Sequence, residues 1–284
     1  MRREPTAVAD WSTQRTFFVY TTVTYTITWS LWGLWATVAV GSSLAATVLF
    51  SLGGLGPFAA SILLVQRTRQ SVRSWLGGIF RVRGPARYYL LALVLPAILA
   101  IVAGVSHVFI FDGEVTPEAV PAAVEYPIFL GFVLLFGGGF EEPGWRGYLL
   151  PVLRAEYSAL TSALLIGVVW AVWHLPLFFI SGSIQQGLSP GLYLLQIIAL
   201  SVVLTWITNA VDGIVLPAMV LHAGGNTIVN YYPVGGVAGA TSPVGLGLLV
   251  ASIGAFAGGL VLRYGPALDP SVTRSPGDRQ PRES

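Results

Sequence analysis

The stretch LLFGGGFEEPGWRGYLLP, residues 134–151, contains two adjacent glutamates and an arginine inside an otherwise apolar run. In water such residues need no explanation, whereas in a membrane each ionisable side chain is costly and usually has a function. The role of Glu141, Glu142 and Arg146 therefore depends first on the solvent in which this chain folds.

The composition identifies that solvent. Of the 284 residues, 54% are hydrophobic and only 10% are charged, and the mean hydropathy is +0.72. Ordinary globular chains contain about 25% charged residues. Several apolar stretches approach or exceed the roughly 20 residues that cross a bilayer as a helix. The sequence therefore predicts an all-α, polytopic bundle of membrane helices.

The apolar runs predict about eight transmembrane helices in one membrane domain. We expect residues 1–16 to form a cytoplasmic N-terminal segment and residues 17–264 to form the helical domain, with its candidate motifs within 126–231. Residues 265–284 are polar and rich in proline and serine, which predicts a disordered cytoplasmic tail. The predicted spans are 17–40, 44–65, 88–110, 126–150, 159–180, 192–209, 213–231 and 243–263.

The basic residues predict the orientation of this domain. All 15 are arginines, and outside the apolar spans they lie in the termini and in alternate loops. The intervening loops contain none, so the positive-inside rule predicts that both termini are cytoplasmic. We expect an integral, multi-pass protein in the plasma membrane of a prokaryote, with no nucleic-acid partner. The chain contains no cysteine, which excludes disulfides and a cysteine nucleophile.

The glutamate pair predicts two different environments on one helix. Glu142 and Arg146 are four residues apart, so they share a helix face and can pair. Glu141 is rotated by about 100° from Glu142 and has no such local partner, which suits a general base or acid. Pro143 leaves the carbonyl of Gly139 without its helical donor, and the three consecutive glycines that end at Gly139 add no side-chain bulk, so the sequence predicts a local bend. The alternative is a structural polar knot between helices.

Two further polar pairs occur in other predicted spans. Trp170 and His174 are four apart on one helix face, and so are His222 and Asn226. A lone histidine in a membrane helix can simply be a packing group, and we interpret His107 in that way. Polar side chains from three spans that converge inside a bundle would instead define a site.

These residues together resemble the CPBP family of intramembrane proteases, which includes type II CAAX prenyl endopeptidases and bacteriocin-processing or self-immunity proteins. The resemblance covers residues 126–231. Its one mild departure is Trp170, because phenylalanine is the commoner aromatic residue at that position. The motifs are Glu141, Glu142 and Arg146 in EEPGWR, Trp170 and His174 in WAVWH, and His222 and Asn226 in HAGGN.

The resemblance implies hydrolysis of a peptide bond in a membrane-embedded or lipidated substrate, of which a prenylated CAAX peptide is the best-known example. Glu141 would activate the water with support from His174. His222 and Asn226 would donate hydrogen bonds to the oxyanion of the tetrahedral intermediate. An effective oxyanion donor stabilises the transition state by about 3 kcal/mol.

The remaining motif residues are expected to support this site. By the same resemblance, Glu142 and Arg146 would position the first motif. Trp170 and Trp145 are predicted to contact the substrate.

Three alternatives stay open at the level of sequence. His174, His222 and Glu141 form a possible zinc ligand set with an open position for water, although there is no HExxH motif. A proton-coupled transporter could use the same residues as a relay, with helices broken at Pro143 and Pro217. The third alternative is a catalytically silent immunity or scaffold protein.

Overall fold

The computed structural model describes residues 11–38 and 43–270. Within these ranges the regular secondary structure is entirely helical. Six segments are long and apolar enough to cross a membrane, in agreement with the predicted all-α membrane bundle. These segments are Leu44–Val65, Ala86–Phe111, Pro117–Leu153, Ala159–Phe179, Pro190–Ala210 and Pro243–Ala267.

The α-helices of the described residues vary in length from a single turn to seven turns. Their bounds are α1 Thr13–Val38, α2 Ser43–Gly54, α3 Gly56–Val65, α4 Val72–Ile79, α5 Ala86–Phe111, α6 Tyr126–Phe136, α7 Glu142–Gly144, α8 Leu150–Leu153, α9 Ala159–Trp173, α10 Pro190–Ala210, α11 Leu216–Ile228, α12 Gly236–Thr241 and α13 Pro243–Tyr264.

The six segments correspond to six of the predicted spans, and the other two predicted spans behave differently. Helix α1 has 26 residues, enough to cross, but its many threonines lower its hydropathy. Helix α11 has only 13 residues, about 20 Å, which is shorter than the roughly 30 Å hydrocarbon core. A total of eight spans therefore stays a prediction.

The helical bundle continues beyond the last long helix. A 3-10 turn, Gly265–Ala267, follows α13, and Leu268 behind it is fully buried. The Asn209 amide at the end of α10 donates hydrogen bonds to the carbonyls of Ala267, at 3.4 Å, and Leu268, at 3.1 Å. The predicted disordered tail lies mostly outside the described residues.

The helices are antiparallel neighbours, so their ends form two groups. We call the arginine end the end where α1, α5, α9 and α11 begin and where α3, α8, α10 and α13 end. Hydrogen bonds join its segments: Gln14 Nε2 donates to Glu156 Oε2 at 2.7 Å. The Val215 amide donates to the Ile79 carbonyl at 2.9 Å, which fixes the amphipathic helix α4 beside the start of α11.

The opposite end of the bundle is held together by its own loops. The Thr116 amide donates to the Pro233 carbonyl at 3.0 Å. His107 Nδ1 lies 3.1 Å from the Tyr232 hydroxyl, and the two rings are in contact. His107 does not line the cavity described below.

Candidate active site

The first motif lies on a helix whose backbone changes type three times. Helix α6 ends at Phe136, and the chain resumes as a 3-10 turn, Gly139–Glu141, before α7. A π turn, Trp145–Leu149, follows and leads into α8. The bend predicted from the three glycines and Pro143 is therefore present.

Gly138 is the pivot of this bend. Its φ is +132°, a backbone conformation that residues other than glycine rarely adopt. A Cβ at this position would lie 2.7 Å from Asn226 Nδ2 and 2.8 Å from His222 Nε2. The absence of a side chain thus lets the first motif approach α11 closely.

The predicted ion pair is formed, and it is completely buried. Arg146 Nη1 lies 3.0 Å from Glu142 Oε2. Arg146 Nη2 donates to Ser201 Oγ at 3.0 Å, and the Ser201 hydroxyl in turn donates to the Ala163 carbonyl at 2.6 Å. The guanidinium also lies 5.0 Å from the centre of the Trp170 ring.

Ser201 was not predicted from the sequence. It lies on α10, where Ser201, Thr205 and Thr208 are all buried. Positions i, i+4 and i+7 share one helix face, so this stripe of hydroxyls was the available signal.

Glu142 has a second partner on α11. Its Oε1 accepts a hydrogen bond from His222 Nδ1 at 2.8 Å. The opposite ring nitrogen, Nε2, lies 3.3 Å from Asn226 Nδ2, which also donates to the Gly137 carbonyl at 2.9 Å. Glu142 thus fixes the orientation of the histidine ring, a role that its spacing to Arg146 did not reveal.

Glu141 has no arginine partner and instead contacts an indole. Trp170 Nε1 donates to Glu141 Oε2 at 2.7 Å. A phenylalanine, the commoner residue at this position in the family that the chain resembles, has no donor for this bond. The Trp170 ring also lies between the two motif histidines, 6.0 Å from His174 and 4.9 Å from His222 between ring centres.

His174 terminates α9 and is oriented by its own helix. Its Nδ1 lies 2.9 Å from the Trp170 carbonyl, which can only accept a hydrogen bond. In the neutral ring Nδ1 therefore holds the proton and Nε2 has a free lone pair. The rings of Trp173 and Tyr193 make edge contacts with it, and their centres lie 4.6 Å and 5.4 Å from the centre of the imidazole. These contacts fix the plane of the ring.

The motif residues form two layers around one cavity of about 1050 Å³. Five of them line it: Glu141, Trp170, His174, His222 and Asn226.

The other motif residues lie behind this first layer. Glu142 and Arg146 are absent from the lining and are fully buried. Trp145 is also buried outside the cavity, with edge contacts to Tyr20 and Trp173. In this structure Trp170 is therefore the predicted substrate-contacting tryptophan that faces the cavity.

The residues suggested as zinc ligands do not form a recognisable metal site. Within the described ranges, no three His, Asp or Glu side chains are grouped as they would be around a metal ion. The Nε2 atom of His222 contacts Asn226 Nδ2, and Glu141 Oε2 accepts from Trp170. The metalloprotease interpretation gains no support from this arrangement, and we derive no step through a metal.

Comparisons with known proteins agree with the geometry. A family model described as type II CAAX prenyl endopeptidase Rce1-like matches residues 123–228, which include all three motifs. CAAX prenyl protease 2 of Methanococcus maripaludis is 27% identical over 225 residues, covering 72% of this chain and 80% of that protein. Together with the apolar helices, these similarities favour a multi-pass membrane protease over a transporter. The chain is therefore similar to type II CAAX prenyl endopeptidases over the region that holds its motifs, and these similarities support a CAAX endopeptidase-like protease.

Proposed function

We propose that this protease hydrolyses a peptide bond with a water molecule activated by Glu141 and His174. The observation that supports this proposal is that both side chains line one largely apolar cavity, in which Glu141 is the sole carboxyl group contributed by residues 11–38 and 43–270. Glu141 would take a proton from the water while the His174 Nε2 lone pair accepts its other hydrogen. The resulting hydroxide would add to the carbonyl carbon of the scissile bond.

The tetrahedral intermediate would be stabilised from α11. One N–H of Asn226 is directed toward His222 Nε2 over a long contact of 3.3 Å, and it is the donor most easily redirected to an oxyanion. When the intermediate collapses, the C–N bond breaks and the proton on Glu141 passes to the leaving amine. Each donor of this kind lowers the activation free energy by about 3 kcal/mol.

The remaining motif residues would act through their contacts. Glu142 holds His222, Arg146 neutralises Glu142, and Trp170 holds Glu141. Because these bonds are formed before substrate enters, the site would be preorganised for the charge that develops during the reaction.

The first substrate to test is a farnesylated CAAX peptide. The relative from Methanococcus maripaludis is named a CAAX prenyl protease. A cavity of about 1050 Å³ with a largely apolar wall also suits a lipid-modified peptide.

The test compares wild type, Glu141→Gln and the control Glu125→Gln on a quenched farnesylated CAAX peptide in detergent. Glu125 is an exposed glutamate of the loop before α6. We expect Glu141→Gln to lower kcat by roughly 10²- to 10⁴-fold because general-base catalysis is lost. Glu125→Gln should retain wild-type activity, with or without a chelator.

Other outcomes would change the assignment. Equal cleavage by wild type and Glu141→Gln would remove Glu141 from the reaction. Loss of wild-type cleavage with chelator and recovery with zinc would move Glu141, His174 and His222 into ligand roles. If wild type leaves this peptide intact, the CAAX substrate is wrong for this enzyme.

A further inference from the structure

The connection between α3 and α5 carries a high positive charge. Residues 66–87, which we call the arginine segment, contain six arginines and no aspartate or glutamate. The amphipathic helix α4 lies in the middle of this segment. All six arginines are exposed: Arg67, Arg69, Arg73, Arg81, Arg83 and Arg87.

This charge is not neutralised by carboxylates of the residues that the structure describes. The ion pairs among those residues involve Glu142, deep in the bundle. The described carboxylates at the arginine end belong to Glu156, Asp212 and Asp269, and none of them forms an ion pair with the arginine segment. Six positive charges therefore face outward, where an anion from outside the chain can reach them.

The arginine segment lies at the level of the lipid head groups. It joins two of the segments that are long and apolar enough to cross a membrane, Leu44–Val65 and Ala86–Phe111. The connection between two consecutive crossing helices emerges at one membrane surface. Basic side chains at such a surface are attracted to anionic lipids within a Debye length. This placement is the same whichever face of the membrane the segment occupies.

Helix α4 connects the charged surface to two parts of the candidate active site. Its buried face consists of Trp75 and Ile79. Trp75 Nε1 donates to the Gly147 carbonyl at 3.1 Å, in the π turn that follows the two glutamates. The Ile79 carbonyl accepts from the Val215 amide at 2.9 Å, beside the start of the helix that carries His222. A ligand that holds α4 in place would therefore stabilise both parts.

We infer that the arginine segment binds the head groups of anionic phospholipids and that this binding stabilises the site through α4. A guanidinium presents paired donors that match two oxygens of a phosphate. Several arginines at one surface attract a lipid with a net negative charge, whereas a zwitterionic lipid has no net charge to attract. Free phosphate has the same chemistry but is not held at the membrane surface, so the two sources can be separated by experiment.

The absence of native cysteine allows a single fluorescent probe on α4. Ser74→Cys introduces a thiol at an exposed position of this helix. The variant is labelled with a donor dye and reconstituted in phosphatidylcholine nanodiscs that contain a trace of lipid with an acceptor on its acyl chain. We expect energy transfer to a phosphatidylglycerol acceptor to exceed transfer to a phosphatidylcholine acceptor at least about twofold.

Two matched triple variants, each made in the Ser74→Cys background, test whether the segment itself is responsible. The test variant neutralises the segment and should lose the preference for phosphatidylglycerol: Arg67→Gln, Arg69→Gln and Arg81→Gln. The control removes the same charge at the same end of the bundle but outside the segment, and should keep the preference: Arg15→Gln, Arg154→Gln and Arg263→Gln. Equal transfer to both acceptors without these changes, or an equal loss in both triple variants, would overturn the inference.

Two further measurements test the lipid source and the stabilisation. Inorganic phosphate should reduce the preference no more than sodium chloride of equal ionic strength does, and a specific loss with phosphate would assign the segment to the free ion instead. Phosphatidylglycerol should raise the thermal unfolding midpoint of the wild type but not of the test variant. An equal rise in both would contradict the stabilising role. None of these measurements requires cleavage, so their outcome is independent of the proposed function.

Discussion

At the scale of single residues, Glu142 links the first motif to the third. It is fully buried and contacts both Arg146 and His222, so its charge is balanced on one side and used to orient a ring on the other. The sequence predicts the contact with Arg146, because the two residues are four apart on a helix. The contact with His222 joins residues 80 positions apart and depends on tertiary packing.

Removing Arg146 should therefore harm the fold more than removing the ion pair as a whole. Arg146→Met leaves a buried carboxylate without its cation, and such changes cost about 3–5 kcal/mol. The double variant Glu142→Gln, Arg146→Met removes both charges and should recover most of that stability. Thermal unfolding in detergent measures the order, with Arg154→Met as the control at an exposed arginine. A double variant no more stable than the single one would contradict the buried-charge argument.

At the scale of secondary structure, the break between α6 and α7 brings the first motif against α11. The glycines and Pro143 predict a bend, but its direction depends on the φ of +132° at Gly138. No propensity specifies that angle. The position also requires a residue without a side chain, because an added Cβ would lie within 3 Å of Asn226 and His222.

Gly138→Ala should therefore inactivate the enzyme. The methyl group would collide with Asn226 Nδ2 and His222 Nε2 and displace them. A displacement of about 1 Å in a catalytic group can cost 10²-fold in rate. The matched control is Gly131→Ala on α6, where an added Cβ meets nothing within 4 Å. Peptide cleavage should fall at least about 100-fold in the first variant alone, and full activity of Gly138→Ala would refute this role.

At the scale of the whole molecule, sequence and structure contribute different information. Apolar run lengths predict the membrane class and six of the spans, because bilayer thickness fixes the length of a crossing helix. Motif spacing predicts the residues that converge. The position of Ser201 under Arg146 depends on how helices pack, which no local pattern specifies.

Close packing of α9 on α10 is the last such feature, and it connects the bundle to the site. A Cβ on Gly167 would lie 3.0 Å from Ile198 Cα and 3.2 Å from Ser201 Cβ, so the helices touch backbone to backbone. Small residues allow this approach in membranes, where packing replaces the hydrophobic effect between helices. Gly167→Val would push α10 away and withdraw Ser201 from Arg146.

We expect Gly167→Val to lose about 1–3 kcal/mol through overpacking and to lose part of its activity with the Arg146 contact. The control is Gly258→Val on α13, where the position is exposed and an added Cβ meets nothing within 4 Å. Both variants change glycine to valine within a helix, so propensity effects cancel in the comparison. If thermal unfolding and cleavage were the same for both, the α9–α10 contact would be irrelevant to the site. A lower midpoint and slower cleavage in Gly167→Val alone would show that helix packing sets the active-site geometry.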